Sequence, residues 1–203
     1  MPRRLVIFMA NEDLKMEIPS IERLREELAR EESRYSFRRT ILNIAGLLVV
    51  AAAAAVLMVT RLFVLIQING DSMLPTLENE EIVFLRQTKN IEMGDIVGFY
   101  YGGKILLKRA IGNEGDYIDI DREGNVYVNG EEIDEPYLNK KDLGRCELEF
   151  PYQVPENMIF VLGDNRAVSL DSRIKSIGCV EEGQIVGKVS IRAWPLKRIG
   201  SVH

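Results

Sequence analysis

Histidine is nearly absent. The 203-residue chain has one, His203, and it is the last residue. Terminal side chains are seldom tied down. A Ser-His-Asp triad or a Cys-His pair, each of which needs an imidazole held in the core, is therefore not expected. Cysteine is also scarce. Cys146 and Cys179 have no CxxC spacing and no mid-chain histidine to join them. No zinc site follows, and no metal or other cofactor is expected. The two thiols could be joined if the domain lies outside the cell, or could stay separate. A basic excess is missing too: the net charge is -5 and the sequence pI about 5.2. That speaks against a nucleic-acid partner. With 46% hydrophobic and 28% charged residues, the chain is not of the disordered class.

What the chain does have is one long apolar run. From Ile41 to Thr60 every residue but Asn43 and Thr60 is apolar or glycine, including five alanines from Ala51 to Ala55. Twenty residues at about 1.5 Å each make roughly 30 Å, the thickness of a bilayer core. The run shows no polar face, which a buried core helix would. A transmembrane helix over residues 41–62 is expected, with a phospholipid membrane as partner. Arg34, Arg38 and Arg39 precede it closely. The excess of positive charge on that side predicts a cytoplasmic N-terminus and an extracytoplasmic C-terminal bulk, hence a single-pass protein of the cell membrane. Some forty residues before the run are too many for a cleavable leader, so an uncleaved anchor is expected. Residues 1–40 are polar and of mixed charge. Within them Ile21, Leu24 and Leu28 share a helical face, and Pro19-Ser20 suits a helix start.

Residues 63–203 read as a β-rich catalytic domain. Glu81–Arg86, Ile96–Tyr101 and Lys104–Arg109 are short apolar segments between turn residues. Gly102-Gly103 and Asn129-Gly130 each mark a two-residue hairpin. Met158–Leu162 and Ile185–Arg192 add further strands. Residues 134–157 read as a long polar loop. An antiparallel barrel or sandwich follows. Leu62 to Ile68 either continues the span or lines a groove.

A serine needs a base, and without histidine a lysine can serve only when neutral. The free amine has a pKa of about 10.4, and bringing it to about 7.5 takes roughly 4 kcal/mol from an apolar site. Lys108 follows Ile105-Leu106-Leu107 on an expected strand. Alternation puts it on the opposite face from Arg109, so that one of the two points inward. Ser72 lies in Gly70-Asp71-Ser72-Met73-Leu74-Pro75-Thr76-Leu77, about a dozen residues after the apolar run. That is at most roughly 40 Å of extended chain. A third polar block, Gly163-Asp164-Asn165-Arg166 with Ser169-Leu170-Asp171-Ser172-Arg173, follows the strand-like Ile159–Leu162.

Together these three blocks resemble those of the bacterial type I signal peptidases, membrane-bound serine-lysine enzymes that remove signal peptides from exported preproteins. The forms Gly-x-Ser-Met-x-Pro-Thr-Leu, Lys-Arg with Gly-x-x-Gly-Asp, and Gly-Asp-Asn-Arg with Ser-x-Asp-Ser-Arg all stand in order over about residues 40–195. The resemblance implies Ser72 as nucleophile and Lys108 as general base. Ser169 would orient the amine, and Asp171 and Arg173 would form a supporting pair. Asp164, Arg166 and Arg109 would shape the site, with Met73 and Pro75 fixing the nucleophile turn. Some relatives carry a serine two residues before the nucleophile. Gly70 stands there here, so the oxyanion would rely on the backbone N–H of Ser72. Where many members have an acidic residue after Gly-Asp-Asn-Arg, this chain has Ala167. The single span is similar to that of the Gram-positive enzymes. Three alternatives stay open: a self-cleaving repressor-type peptidase, a conjugation-specific processing peptidase, and an anchored β-domain that only binds exported chains.

Overall fold

Ser20 opens the first element of the computed structural model, which describes residues 20–202. Its hydroxyl accepts from the Arg23 N–H at 3.4 Å and its carbonyl from the Leu24 N–H at 3.2 Å. The hydroxyl satisfies one of the donors that a helix start leaves free. Helix α1 then runs from Ile21 to Leu62, 42 residues with none buried. The polar stretch and the apolar run are one continuous helix. Among the described residues it is the one helix long and apolar enough to cross a membrane. Pro19 and His203 lie outside the described residues. The described chain falls into two compact units, divided within α1 between Ala54 and Ala55.

The second unit holds two antiparallel sheets. The larger has the order β1(Phe63–Gln67), β2(Ile82–Arg86), β11(Ile185–Trp194), β3(Ile96–Tyr101), β4(Lys104–Gly112), β9(Met158–Leu162), β10(Val180–Glu181), with β12(Gly200–Ser201) beside β11. The smaller runs β7(Glu131–Glu132), β6(Val126–Val128), β5(Tyr117–Ile120), β8(Tyr152–Gln153). The mainly antiparallel β class is as expected. Both hairpins form at the expected dipeptides. Gly102 and Gly103 have φ of 56° and 75°, Asn129 and Gly130 of 54° and 86°. Those positive values suit a turn that follows the twist of its strands.

One expectation is decided by the structure and another corrected. Of the two alternatives for Leu62 to Ile68, Phe63–Gln67 takes the one that lines a groove, with Ile66 and Gln67 in its wall. It is an edge strand whose Val64 and Ile66 pack on the core around Val83, Leu85 and Val189. And Lys108 and Arg109 are both inside, at 3% and 2% exposure. Both faces of β4 are covered at this point: Lys108 is directed at Ser72, and Arg109 is received by Asp164 and the Tyr137 ring. The polar loop 134–157 also contributes a strand, β8, which completes the smaller sheet beside β5.

Sheet register gives the larger sheet a second, outward apolar face. Phe63 and Leu65 of β1 stand opposite Arg86 and Phe84 of β2, while Ile191 and Trp194 of β11 stand opposite Phe84 and Ile82. Phe63 meets Phe84 edge-on at 6.3 Å between ring centroids. Leu65, Ile191 and Trp194 are exposed.

Candidate active site

The turn that carries Ser72 is anchored from below. Met73 and Leu77 are buried in the core around Val83 and Leu85. The Leu77 N–H donates to the Met73 carbonyl at 2.9 Å. Leu74-Pro75 is a cis peptide. Ser72, between the buried Met73 and the exposed Asp71, remains half-exposed.

Lys108 Nζ lies 2.7 Å from Ser72 Oγ, across 36 residues of sequence. The amine is buried at the middle of β4, and burial pulls its pKa from 10.5 down to about 8. Asp171 and then Asp164 oppose that fall, while Arg173 assists it. Each carboxylate is itself engaged by a guanidinium. Arg109 Nε and Nη2 reach the two oxygens of Asp164 at 2.9 and 2.7 Å. Arg173 grips both oxygens of Asp171 at 2.8 Å. Such two-point pairs fix geometry as well as charge. All four side chains are almost wholly buried.

The third block wraps these pairs around the turn. The Gly163 N–H donates to Asp171 Oδ2 at 3.0 Å, and the Val161 N–H to Ser172 Oγ at 2.9 Å. Arg166 Nε donates to the Gly163 carbonyl at 3.1 Å. Ser169 is buried, but its Oγ has no hydrogen-bond partner among the described residues and is not bonded to Lys108, whose amine is directed at Ser72 instead. The Ser72 backbone N–H donates to no acceptor among the described residues. Ala167 is exposed, as befits a loop contact. Cys146 and Cys179 are free thiols. Burial pushes the Cys179 thiol up to about 11, so it is an unreactive core side chain.

A groove of about 790 Å³ opens on Ser72 and Lys108, walled in part by Ile66, Ile68, Met73, Tyr100, Ile105 and Leu107. Strand β9 pairs with β4 only from Arg109 onward. The Lys104–Lys108 backbone therefore has an open hydrogen-bonding edge on that side.

The model of the family described as "Signal peptidase, peptidase S26" matches residues 41–194, which include every block of this site. The chain belongs to the signal peptidase family, peptidase S26. Signal peptidase I S of Bacillus subtilis (strain 168) is 35% identical over 176 residues, 81% of this chain and 95% of the relative. Signal peptidase I of Bacillus caldolyticus is 40% identical over 164 residues, 72% of this chain and 88% of the relative. A crystal structure of a signal peptidase I from Enterococcus faecalis V583 has 30% identity and a TM-score of 0.43, over 50% of this chain and 97% of the other.

In this signal peptidase family member, several contacts that bear on the site are not visible in its motifs. Glu135 sits in the polar loop yet is buried and paired with Arg166. The Arg109 guanidinium lies 3.8 Å from the Tyr137 ring centroid. Thr76 Oγ1 donates to Asp164, and its carbonyl accepts from Arg192. Asn165 holds the backbone on either side of Ser72. Thr76 and Asn165 stand inside the motif blocks, whereas Glu135 and Tyr137 lie outside every block.

Proposed function

We propose that this chain removes signal peptides from exported preproteins by serine acyl transfer, with Ser72 as nucleophile and neutral Lys108 as base. The observation that carries the reading is the 2.7 Å approach of a buried, pKa-lowered amine to a serine hydroxyl. Neutral Nζ takes the Oγ proton as Oγ attacks the carbonyl of the scissile bond. The tetrahedral intermediate collapses to an acyl-enzyme, the protonated amine gives its proton to the departing amine of the mature protein, and water then hydrolyses the ester. The Ser72 N–H stabilises the oxyanion, and the orphaned Ser169 Oγ is available to hold the amine as its charge changes. Asp164–Arg109 and Asp171–Arg173 keep the walls of the site in place. An extended substrate adds as a strand along the free edge of Lys104–Lys108, which supplies main-chain hydrogen bonds, while shallow apolar walls favour small side chains.

The test is acylation of Ser72 by a serine-reactive probe as a function of pH. The labelling rate should be half-maximal near pH 8 and fall about tenfold for each pH unit below that, because only the uncharged amine accepts the proton. Ser72→Ala should not label. A rate that stays flat down to about pH 5 would assign the base to a carboxylate. A pure binding domain would show no labelling at any pH.

The anchor sets where this chemistry happens. With the N-terminus in the cytoplasm, α1 delivers Phe63 at the outer face of the bilayer. The exposed apolar face carrying Leu65, Ile191 and Trp194 then suits contact with the lipid surface, where tryptophan is favoured. Trp194 is the only tryptophan. Its fluorescence in proteoliposomes should be quenched by lipids brominated near the headgroup. Emission indifferent to such lipids would place this face away from the membrane.

A further inference from the structure

The Ser72 N–H can serve an oxyanion only if its peptide is held in one orientation, and Gly70 supplies no hydroxyl to share the task. Asn165 is placed to do the holding. Its side-chain Nδ2 donates to the Asp71 carbonyl at 3.1 Å, and its backbone N–H donates to the Ser72 carbonyl at 3.0 Å. The Leu74 N–H also donates to the Asp71 carbonyl, at 3.3 Å. Both peptides are trans, the cis bonds being confined to three prolines. In a trans peptide the N–H points opposite to the C=O. Fixing the Asp71 carbonyl toward Asn165 therefore turns the Ser72 N–H away from it. That N–H has no acceptor among the described residues.

We infer that Asn165 is a positioning residue for the oxyanion site: its amide side chain presets the Asp71–Ser72 peptide so that the Ser72 N–H faces the developing negative charge. The inference rests on the Ser72–Lys108 reading. It goes beyond it by assigning the third block a task separate from the charges around the lysine. Asn165 touches neither the amine nor the hydroxyl, so its effect should appear on the charged intermediate alone. The half-exposed side chain is packed loosely enough to be replaced.

The test uses the full chain in detergent, with Asn165→Ala and the near-isosteric Asn165→Asp, whose ionised carboxylate cannot donate to a carbonyl. Turnover of a preprotein should fall about tenfold to a hundredfold in both, below the loss seen when an oxyanion donor is removed outright. KM should not change, and the acid limb of kcat/KM should stay near that of the parent. A peptide boronate, whose tetrahedral adduct on Ser72 places an oxygen in the oxyanion position, should lose affinity in proportion to kcat. An uncleavable peptide of the same sequence should bind as before. Unchanged kcat in Asn165→Asp overturns the inference. So does a shifted acid limb, which would mean action through Lys108, or a rise in KM alone, which would mean a substrate contact. If instead Ser72→Ala or Lys108→Met retains activity, the dyad reading itself fails, whatever the Asn165 variants do.

Discussion

Lys108→Met should process a preprotein at least about a thousandfold more slowly than the parent while keeping its fold. A positioned general base contributes roughly a hundredfold to ten-thousandfold, and among the described residues no other side chain is bonded to the Ser72 hydroxyl. Methionine matches the lysine stem in length and is at home in an apolar strand. The loss should therefore appear in kcat and not in melting temperature. Lys108→Arg should fail as completely, because a guanidinium does not deprotonate in a protein and needs more room than the amine. The comparison separates charge from chemistry: arginine keeps the positive charge, methionine keeps the apolar volume, and neither can accept a proton. Single-turnover cleavage of a preprotein in detergent measures the effect. Normal cleavage by either variant would remove Lys108 from the mechanism.

That the amine can be neutral near pH 8 follows from how its neighbours are arranged. Two carboxylates close to a buried lysine would ordinarily hold it charged. Here Asp164 and Asp171 are each gripped at both oxygens by Arg109 and Arg173. Arg173 offsets part of the carboxylates' pull, and desolvation is the largest influence on the amine. The same pairs are structural. Arg109–Asp164 ties β4 to the Gly163–Arg173 segment and Arg173–Asp171 closes that segment on itself, and removing one partner would strand a buried charge at a cost of about 3–5 kcal/mol.

Much of this was legible in local pattern. The hairpins at Gly102-Gly103 and Asn129-Gly130, the strands beginning near Ile82, Ile96 and Lys104, and the apolar half of α1 all rest on residues close in sequence. What local pattern did not carry was partnership at a distance. Alternation along β4 predicts that Lys108 and Arg109 part company, and they do face opposite ways, but both faces are covered: Ser72 meets one, and Asp164 and Tyr137 receive Arg109 on the other. Glu135 reads as one more solvated acid until Arg166, 31 residues on, is packed beside it. Leu62 to Ile68 reads equally as a continued span or a groove wall, because its residues suit lipid and a peptide groove alike. The edge of β2 decides the matter. The motif blocks named the residues of the site, but not that Asn165 binds the peptides around Ser72.

Gly163→Ala should be nearly as damaging as loss of the base, though it adds a single methyl group. Gly163 does not need an unusual φ; it needs space. A Cβ there would fall 2.6 Å from the Ser72 carbonyl oxygen and would meet the Ser169 side chain more closely still. Neither neighbour can yield freely. The Ser72 carbonyl is bonded to the Asn165 N–H at 3.0 Å, and Ser169 is buried. The methyl must push the nucleophile turn away from the Gly163–Arg166 segment, and Ser72 Oγ moves with it. A displacement of about 1 Å at a reacting group can cost a hundredfold in rate, while overpacking of this kind costs about 1–3 kcal/mol in stability. The variant should therefore lose at least about a hundredfold in kcat yet remain folded. Gly183→Ala is the control, since a Cβ there meets nothing within 4 Å and should leave both quantities unchanged. If Gly163→Ala cleaves preprotein at the parental rate, the turn and the third block are not in the close contact on which positioning of the Ser72 hydroxyl depends.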